Sequence, residues 1–225
     1  MALFDTGDDT YRLEDTVERY GDGEFEVKDV ALYTAAAALD MAVDGELSPD
    51  EFTEYLDQAR DFVAAHYFGA EKPDEVEMPE TEREVERFYQ EDIRRQSWMD
   101  DFVENSRQPY GGLGFSPDVI PDTVVALGSG GIEPAAILAE TQDLELAVVS
   151  YDEDRIKPEN PGLRDRLLDS VEGEPVEALS AFGHDFKGEN VWAVGDRLGT
   201  SSRERDAYRE FFEDRTETWQ LKSLG

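Results

Sequence analysis

The chain has no cysteine. That single absence excludes a disulfide frame, a thiolate metal site and a cysteine nucleophile. Its two histidines, His66 and His184, are too few for an all-histidine metal site. No apolar run approaches the roughly 18 residues of a membrane span, and the start MALFDTGDDT lacks a basic region followed by an apolar stretch. These absences predict a cytoplasmic protein. Basic side chains are also scarce: 55 Asp and Glu stand against 21 Lys and Arg, a net charge of −34. A basic face for DNA, RNA or anionic lipid is therefore excluded as an expectation, because such binding needs Lys and Arg to neutralise phosphates.

What is present is enough for a core. Of the 225 residues, 39% are hydrophobic and 11% aromatic, and they fall in periodic segments throughout the chain, unlike a disordered polar tract. The acids are spread along the whole length. Only Lys28, Lys72, Lys157, Lys187 and Lys222 are lysines, the other basic residues being arginine. Dispersed acids with few lysines resemble proteins of salt-loving archaea, in which molar salt screens self-repulsion. An acidic surface serving a basic partner is the alternative.

Two regions are expected, 1–108 and 109–225. In the first, apolar Phe52, Tyr55, Leu56, Ala59, Phe62, Val63 and Tyr67 recur at helical spacing and predict a helix over Glu51–Tyr67. An Ala-rich segment, Val27–Val43, predicts a second. Thr81–Glu104 predicts a third, with Val85, Phe88, Tyr89, Met99, Phe102 and Val103 as its apolar stripe. After a turn-rich connection through Gly111, Gly114, Pro117 and Pro121, the pattern changes. TVVALG, LELAVVSY, PVEALS and NVWAVG predict strands, alternating with helices over Glu133–Glu140, near Leu163–Asp169 and over Ser202–Asp214. Strands separated by helices give an α/β fold: a parallel sheet flanked by helices, preceded by a helical region. In such sheets ligands sit beyond the carboxyl ends of the strands, which directs attention to the loops after Leu127, Ser150 and Val194.

The first loop, Gly128-Ser129-Gly130-Gly131, leads into a helix. Its glycines let backbone amides turn toward one point beside a helix amino end, an anion cradle; a tight packing turn explains them equally well. It is neither a Walker loop nor a dinucleotide fingerprint. The loop after NVWAVG reads Asp196-Arg197-Leu198-Gly199-Thr200-Ser201-Ser202-Arg203 and opens a helix. There a carboxylate stands at a strand end, where it can hold a sugar diol. Amides and hydroxyls beyond it can hold a phosphate, or Thr200, Ser201 and Ser202 can simply cap the helix.

Together with VVALGSGGIEPAAILAE, that loop resembles the type I phosphoribosyltransferases over roughly residues 118–214. The resemblance implies phosphoribosyl pyrophosphate (PRPP) as ligand. Gly128, Ser129, Gly130 and Gly131 would meet its pyrophosphate with Mg2+. Gly199, Thr200, Ser201 and Ser202 would grip its 5′-phosphate, and Asp196 its ribose, as the catalytic residue. The family is commonly dimeric, which implies a homodimer. Three departures stand beside the match. Gly195 replaces the first of two adjacent acids, Gly199-Thr200-Ser201-Ser202 alters the usual Thr-rich turn, and the acid often found at the position of Gly199 is missing.

In the remaining loop, Arg155 and Lys157 form a rare basic spot. They can reach pyrophosphate or pair with Asp152 and Asp154. Asp40 to Glu51 aligns with a calcium-binding EF-hand loop except that Ala42 removes a ligand. A turn ended by Gly45, with a Ser48/Glu51 capping box opening the next helix, accounts for the same residues without metal. Three functions stay open: transfer of a phosphoribosyl group to a nitrogen acceptor, nucleotide sensing without catalysis, and an interaction module built on the helical half.

Overall fold

The computed structural model describes residues 10–12, 27–77, 96–108, 114–116, 118–152, 175–183, 186–187, 189–195 and 202–223. Helices α1 (Val27–Asp44) and α2 (Pro49–Phe68) form a hairpin. The turn between them is the capping box: the Ser48 hydroxyl accepts from the Glu51 amide at 3.2 Å, and the Glu51 carboxylate accepts from the Ser48 amide at 2.8 Å. Those bonds, the side-chain one first, hold the Glu51 carboxyl below its ordinary range. Pro49 opens α2 where a missing amide costs nothing, and Gly69, with φ 71°, ends it in the left-handed region. Phe52, Leu56, Ala59, Phe62 and Val63 of α2 are all buried. Each large side chain among them contributes about 1.5–3 kcal/mol. Helix α1 is buried nearly all round, and its alanines Ala31, Ala35, Ala37 and Ala38 let neighbouring elements come close.

Helix α3 (Gln96–Ser106) buries Met99, Phe102 and Val103. The start predicted for it at Thr81, with Val85, Phe88 and Tyr89, lies outside the described residues. The first hundred residues are not helical alone: strand β1 (Thr10–Arg12) pairs antiparallel with β2 (Glu75–Glu77). Each strand is only three residues long, and its partner is distant in sequence, so no local periodicity announces the ribbon. Gln58 of α2 completes β2, its amide nitrogen donating to the Glu77 carbonyl at 2.9 Å and its oxygen accepting from the Glu77 amide at 2.6 Å. A side-chain amide thus stands in for a neighbouring strand.

The main sheet contains β3 (Thr123–Leu127), β4 (Glu145–Tyr151), β5 (Leu179–Phe182), β6 (Asn190–Gly195) and β7 (Thr218–Ser223) in the order β5-β4-β3-β6-β7. Strand β3 runs parallel to β4 and β6, and β6 parallel to β7. The chain is therefore α/β with a mostly parallel sheet. Strand β5 is antiparallel to β4 at one edge, a common finish to a parallel sheet. PVEALS is only in part a strand: Pro175–Ala178 forms a 3-10 turn, since proline cannot donate to a ladder. The predicted helix near Leu163–Asp169 lies outside the described residues.

Helix α4 (Ile132–Gln142) joins β3 to β4, and α5 (Ser202–Arg215) joins β6 to β7. Strand alternation sorts the core into two faces. Val124, Ala126, Leu146, Val148, Trp192 and Val194 share one cluster with side chains of α1 to α4. Val125, Leu127, Ala147, Val149, Val191 and Ala193 share the other with Tyr208, Phe211 and Phe212 of α5. Trp192 stacks on Phe115 with centroids 4.2 Å apart, and Phe52 of α2 meets Phe182 of β5 edge-on at 5.1 Å. The amino-terminal helices and the sheet therefore bury a common core. Among the described residues no helix is long and apolar enough to cross a membrane.

Candidate functional site at the carboxyl ends of β3 and β6

From β3 the chain works outward through β4 and β5, then returns to the other side of β3 to lay down β6 and β7. The strand order reverses between β3 and β6. Helix α4 leaves β3 for one face and α5 leaves β6 for the other, the arrangement in which open α/β sheets place their ligand crevice outside the two carboxyl ends. The amino ends are tied together by side chains. Asp122 accepts from the Asn190 amide at 3.0 Å, Thr123 donates to Glu189 at 2.6 Å, and Thr218 donates to the Asn190 side chain at 2.6 Å. The carboxyl ends carry glycines in place of such ties.

Gly128 leaves β3 with φ 64° and ψ −175°, a conformation that essentially only glycine adopts. Ser129, Gly130 and Gly131 then make one 3-10 turn that runs into α4. Both readings of this loop have support. Packing explains Gly131: a Cβ there would stand 2.5 Å from the Val194 carbonyl oxygen and 3.2 Å from the Ala126 backbone. Three amides are engaged internally, Gly128 with the Val149 carbonyl at 2.9 Å, Gly131 with the Gly128 carbonyl at 3.2 Å, and Ile132 with the Ser129 carbonyl. The cradle is thus narrower than the glycine count suggests, with the Ser129 and Gly130 amides as the donors an anion would use.

Behind this loop lies a buried ionic cluster. Glu133, in the first turn of α4, accepts from Lys28 of α1 at 3.0 Å and from the Tyr67 hydroxyl of α2 at 2.8 Å. Lys28 also pairs with Asp29 at 2.8 Å. Lys28 and Glu133 are each 6% exposed. Burial opposes the charge on Lys28, but the pull of Glu133 and then Asp29 outweighs it and raises the ammonium above its ordinary range. Burial, then the charge of Glu133, raises the Tyr67 hydroxyl as well. No sequence pattern joins these residues, although an isolated lysine in an Ala-rich helix and an isolated acid in IEPAAILAE each announce a buried charge in need of a partner.

Gly195, the last residue of β6, lies beside Leu127: a Cβ on it would stand 3.2 Å from the Leu127 Cβ. Where the resembling family carries the first of two acids, this chain has packed β3 side chain against a bare backbone. Beyond the end of β4, Tyr208 of α5 is buried near Tyr151, their ring centroids 6.3 Å apart. Burial, then Glu204, raises the Tyr208 hydroxyl.

Of the residues singled out from the sequence, Gly128, Ser129, Gly130 and Gly131 follow the carboxyl end of β3. Ser202 opens α5. Asp196, Gly199, Thr200, Ser201, Arg155 and Lys157 lie outside the described residues. Gly195 and Ser202 nevertheless fix the two ends of the second loop, one at the carboxyl end of β6 and the other at the amino end of α5. Among the described residues no group of three or more His, Asp or Glu side chains is placed to hold a metal ion. Compared with known proteins, the chain matches no family model, and no curated protein matches it in sequence.

Proposed function

We propose that the crevice between β3 and β6 binds a phosphorylated ribose, either PRPP or a nucleotide, and that the chain is phosphoribosyltransferase-like. One observation carries this reading. The two loops chosen from sequence as anion and sugar sites follow the two strands between which the strand order reverses. In this reading Ser129 and Gly130 meet a pyrophosphate, Asp196 meets the ribose hydroxyls, and Gly199, Thr200, Ser201 and Ser202 meet the 5′-phosphate. Arg155 and Lys157 follow β4 and add positive charge against a surface of −34. Mg2+ would enter with the ligand, and Asp196 is the carboxylate of the proposed site that could help hold it; when bound it would neutralise the pyrophosphate leaving group. Transfer would pass the phosphoribosyl group to a nitrogen acceptor. Cytoplasmic location and a homodimer belong to the same proposal.

Gly195 favours a second reading, binding without transfer, because the place of one family acid is packed against Leu127. Melting in high salt with PRPP, nucleoside monophosphates or pyrophosphate, each with and without Mg2+, separates the readings. A ligand bound by the native state raises the melting temperature, and Asp196→Asn should cut that affinity by about 1–3 kcal/mol. Pyrophosphate release over a panel of bases supports transfer. Binding without release leaves the sensor, and no shift with any ligand removes both.

A further inference from the structure

The Lys28, Glu133 and Tyr67 cluster has no part in the loops discussed so far, yet it sits directly behind one of them. Glu133 follows Gly131 by two residues, within the first turn of α4 and so within about 5.4 Å of the loop along the helix axis. A carboxylate there competes with any ligand anion for the partial positive charge of the helix amino end. In this chain that carboxylate is instead held by the Lys28 ammonium at 3.0 Å and the Tyr67 hydroxyl at 2.8 Å. We propose that the buried pair Lys28–Glu133 sets the charge that the Gly128–Gly131 loop presents to a phosphate or pyrophosphate, making Lys28 of α1 a positioning residue of the site. The inference rests on the reading that this loop receives the anion.

The arithmetic of the cluster makes the proposal specific. Lys28 pairs with both Glu133 and Asp29, and the burial of Lys28 and Glu133 keeps their charges from being screened as surface charges are. Glu133→Gln makes the cluster one charge more positive, Lys28→Met makes it one charge more negative, and the double variant leaves its net charge as in the native chain. Lys28→Arg keeps the native charge. The geometry also says why the amino-terminal helices matter to a site built on the sheet: α1 supplies the cation and α2 the hydroxyl that together occupy Glu133.

Two measurements on the full-length protein, at the lowest salt that keeps it folded, test this. The first needs no ligand. Hydroxide-catalysed exchange of the Ser129 and Gly130 amide protons leaves a transient amide anion, so a more negative surrounding slows it. Glu133→Gln should speed that exchange roughly threefold and Lys28→Met should slow it by a similar factor, with Lys28→Arg and the double variant near the native rate. The second is calorimetric titration with inorganic pyrophosphate, in which Glu133→Gln should bind about tenfold tighter than the double variant. A merely structural pair would loosen binding in every variant and would not reverse sign. Should Lys28→Met fail to fold, Glu133→Gln against the double variant still decides. Equal exchange rates across the folded variants overturn the inference. Exchange in the expected order with no pyrophosphate bound to any variant upholds the electrostatic coupling of Lys28 and Glu133 to the loop and overturns instead the reading that this loop receives a pyrophosphate.

Discussion

Lys28, Tyr67 and Tyr208 each hold a proton more tightly in the folded chain than free in solution: burial and then Glu133 or Glu204 raise the two tyrosines, and Glu133 and Asp29 outweigh burial at Lys28. All three folded values are raised, so the stability they contribute is fully present below their free values, which lie near 10. It is lost as pH rises through the raised values, since the unfolded chain releases its protons first. The melting temperature should therefore fall steeply above about pH 10. Tyr208→Phe, which keeps the ring and removes the hydroxyl, should flatten part of that slope. Melting followed by circular dichroism at alkaline pH checks this, and a melting temperature unchanged by pH would refute it. Lys28 and Glu133 each stand among apolar residues, a signal outside the motifs read from the sequence. Their pairing has no signal there, because 105 residues separate them in sequence.

Between elements the tightest requirement falls where the turn into α4 meets β6. A side chain at position 131 would press on the Val194 carbonyl at 2.5 Å, and backbone cannot swing aside as a flexible side chain can. Gly131→Ala should therefore destabilise the fold by about 1–3 kcal/mol, the usual range for overpacking. Gly128→Ala meets no neighbouring atom, so its penalty of about 1–3 kcal/mol comes from conformation alone. Denaturant melts of the two variants measure both, and an unchanged Gly131→Ala midpoint would show that the loop does not press on β6. Sequence revealed α2 to within two residues at each end, because its apolar spacing and capping box agree. It revealed β3, β4 and β6 by their β-branched runs. Strand β7 gives only a weak signal, since the alternation of Trp219 and Leu221 with Gln220 and Lys222 is too short to stand out after a polar helix. The antiparallel direction of β5 and the β1–β2 ribbon depend on contacts between distant segments and have no local signal.

Over the whole molecule, repulsion among 55 acidic residues opposes compaction. Salt screens it over about 10 Å at 0.1 M and about 3 Å at 1 M. Lowering the salt should therefore lower the melting temperature, and a rise on dilution would contradict that account. The same charge bears on the proposed site, since the proposed anionic ligand would have to reach a molecule that repels it. Sequence alone located the glycine loop and the second loop on strand ends. That the strands they follow, β3 and β6, flank the reversal of strand order became visible only once β6 was seen beside β3. The proposed ligand site at those two strand ends is tested most directly by mapping backbone amide shifts in isotope-labelled protein. On adding PRPP with Mg2+ in high salt, Ser129, Gly130, Gly195 and the residues leading into α5 should shift, while Asp122, Glu145 and Asn190 at the opposite end should not. No shift at the carboxyl ends, or shifts confined to the amino ends, would contradict it.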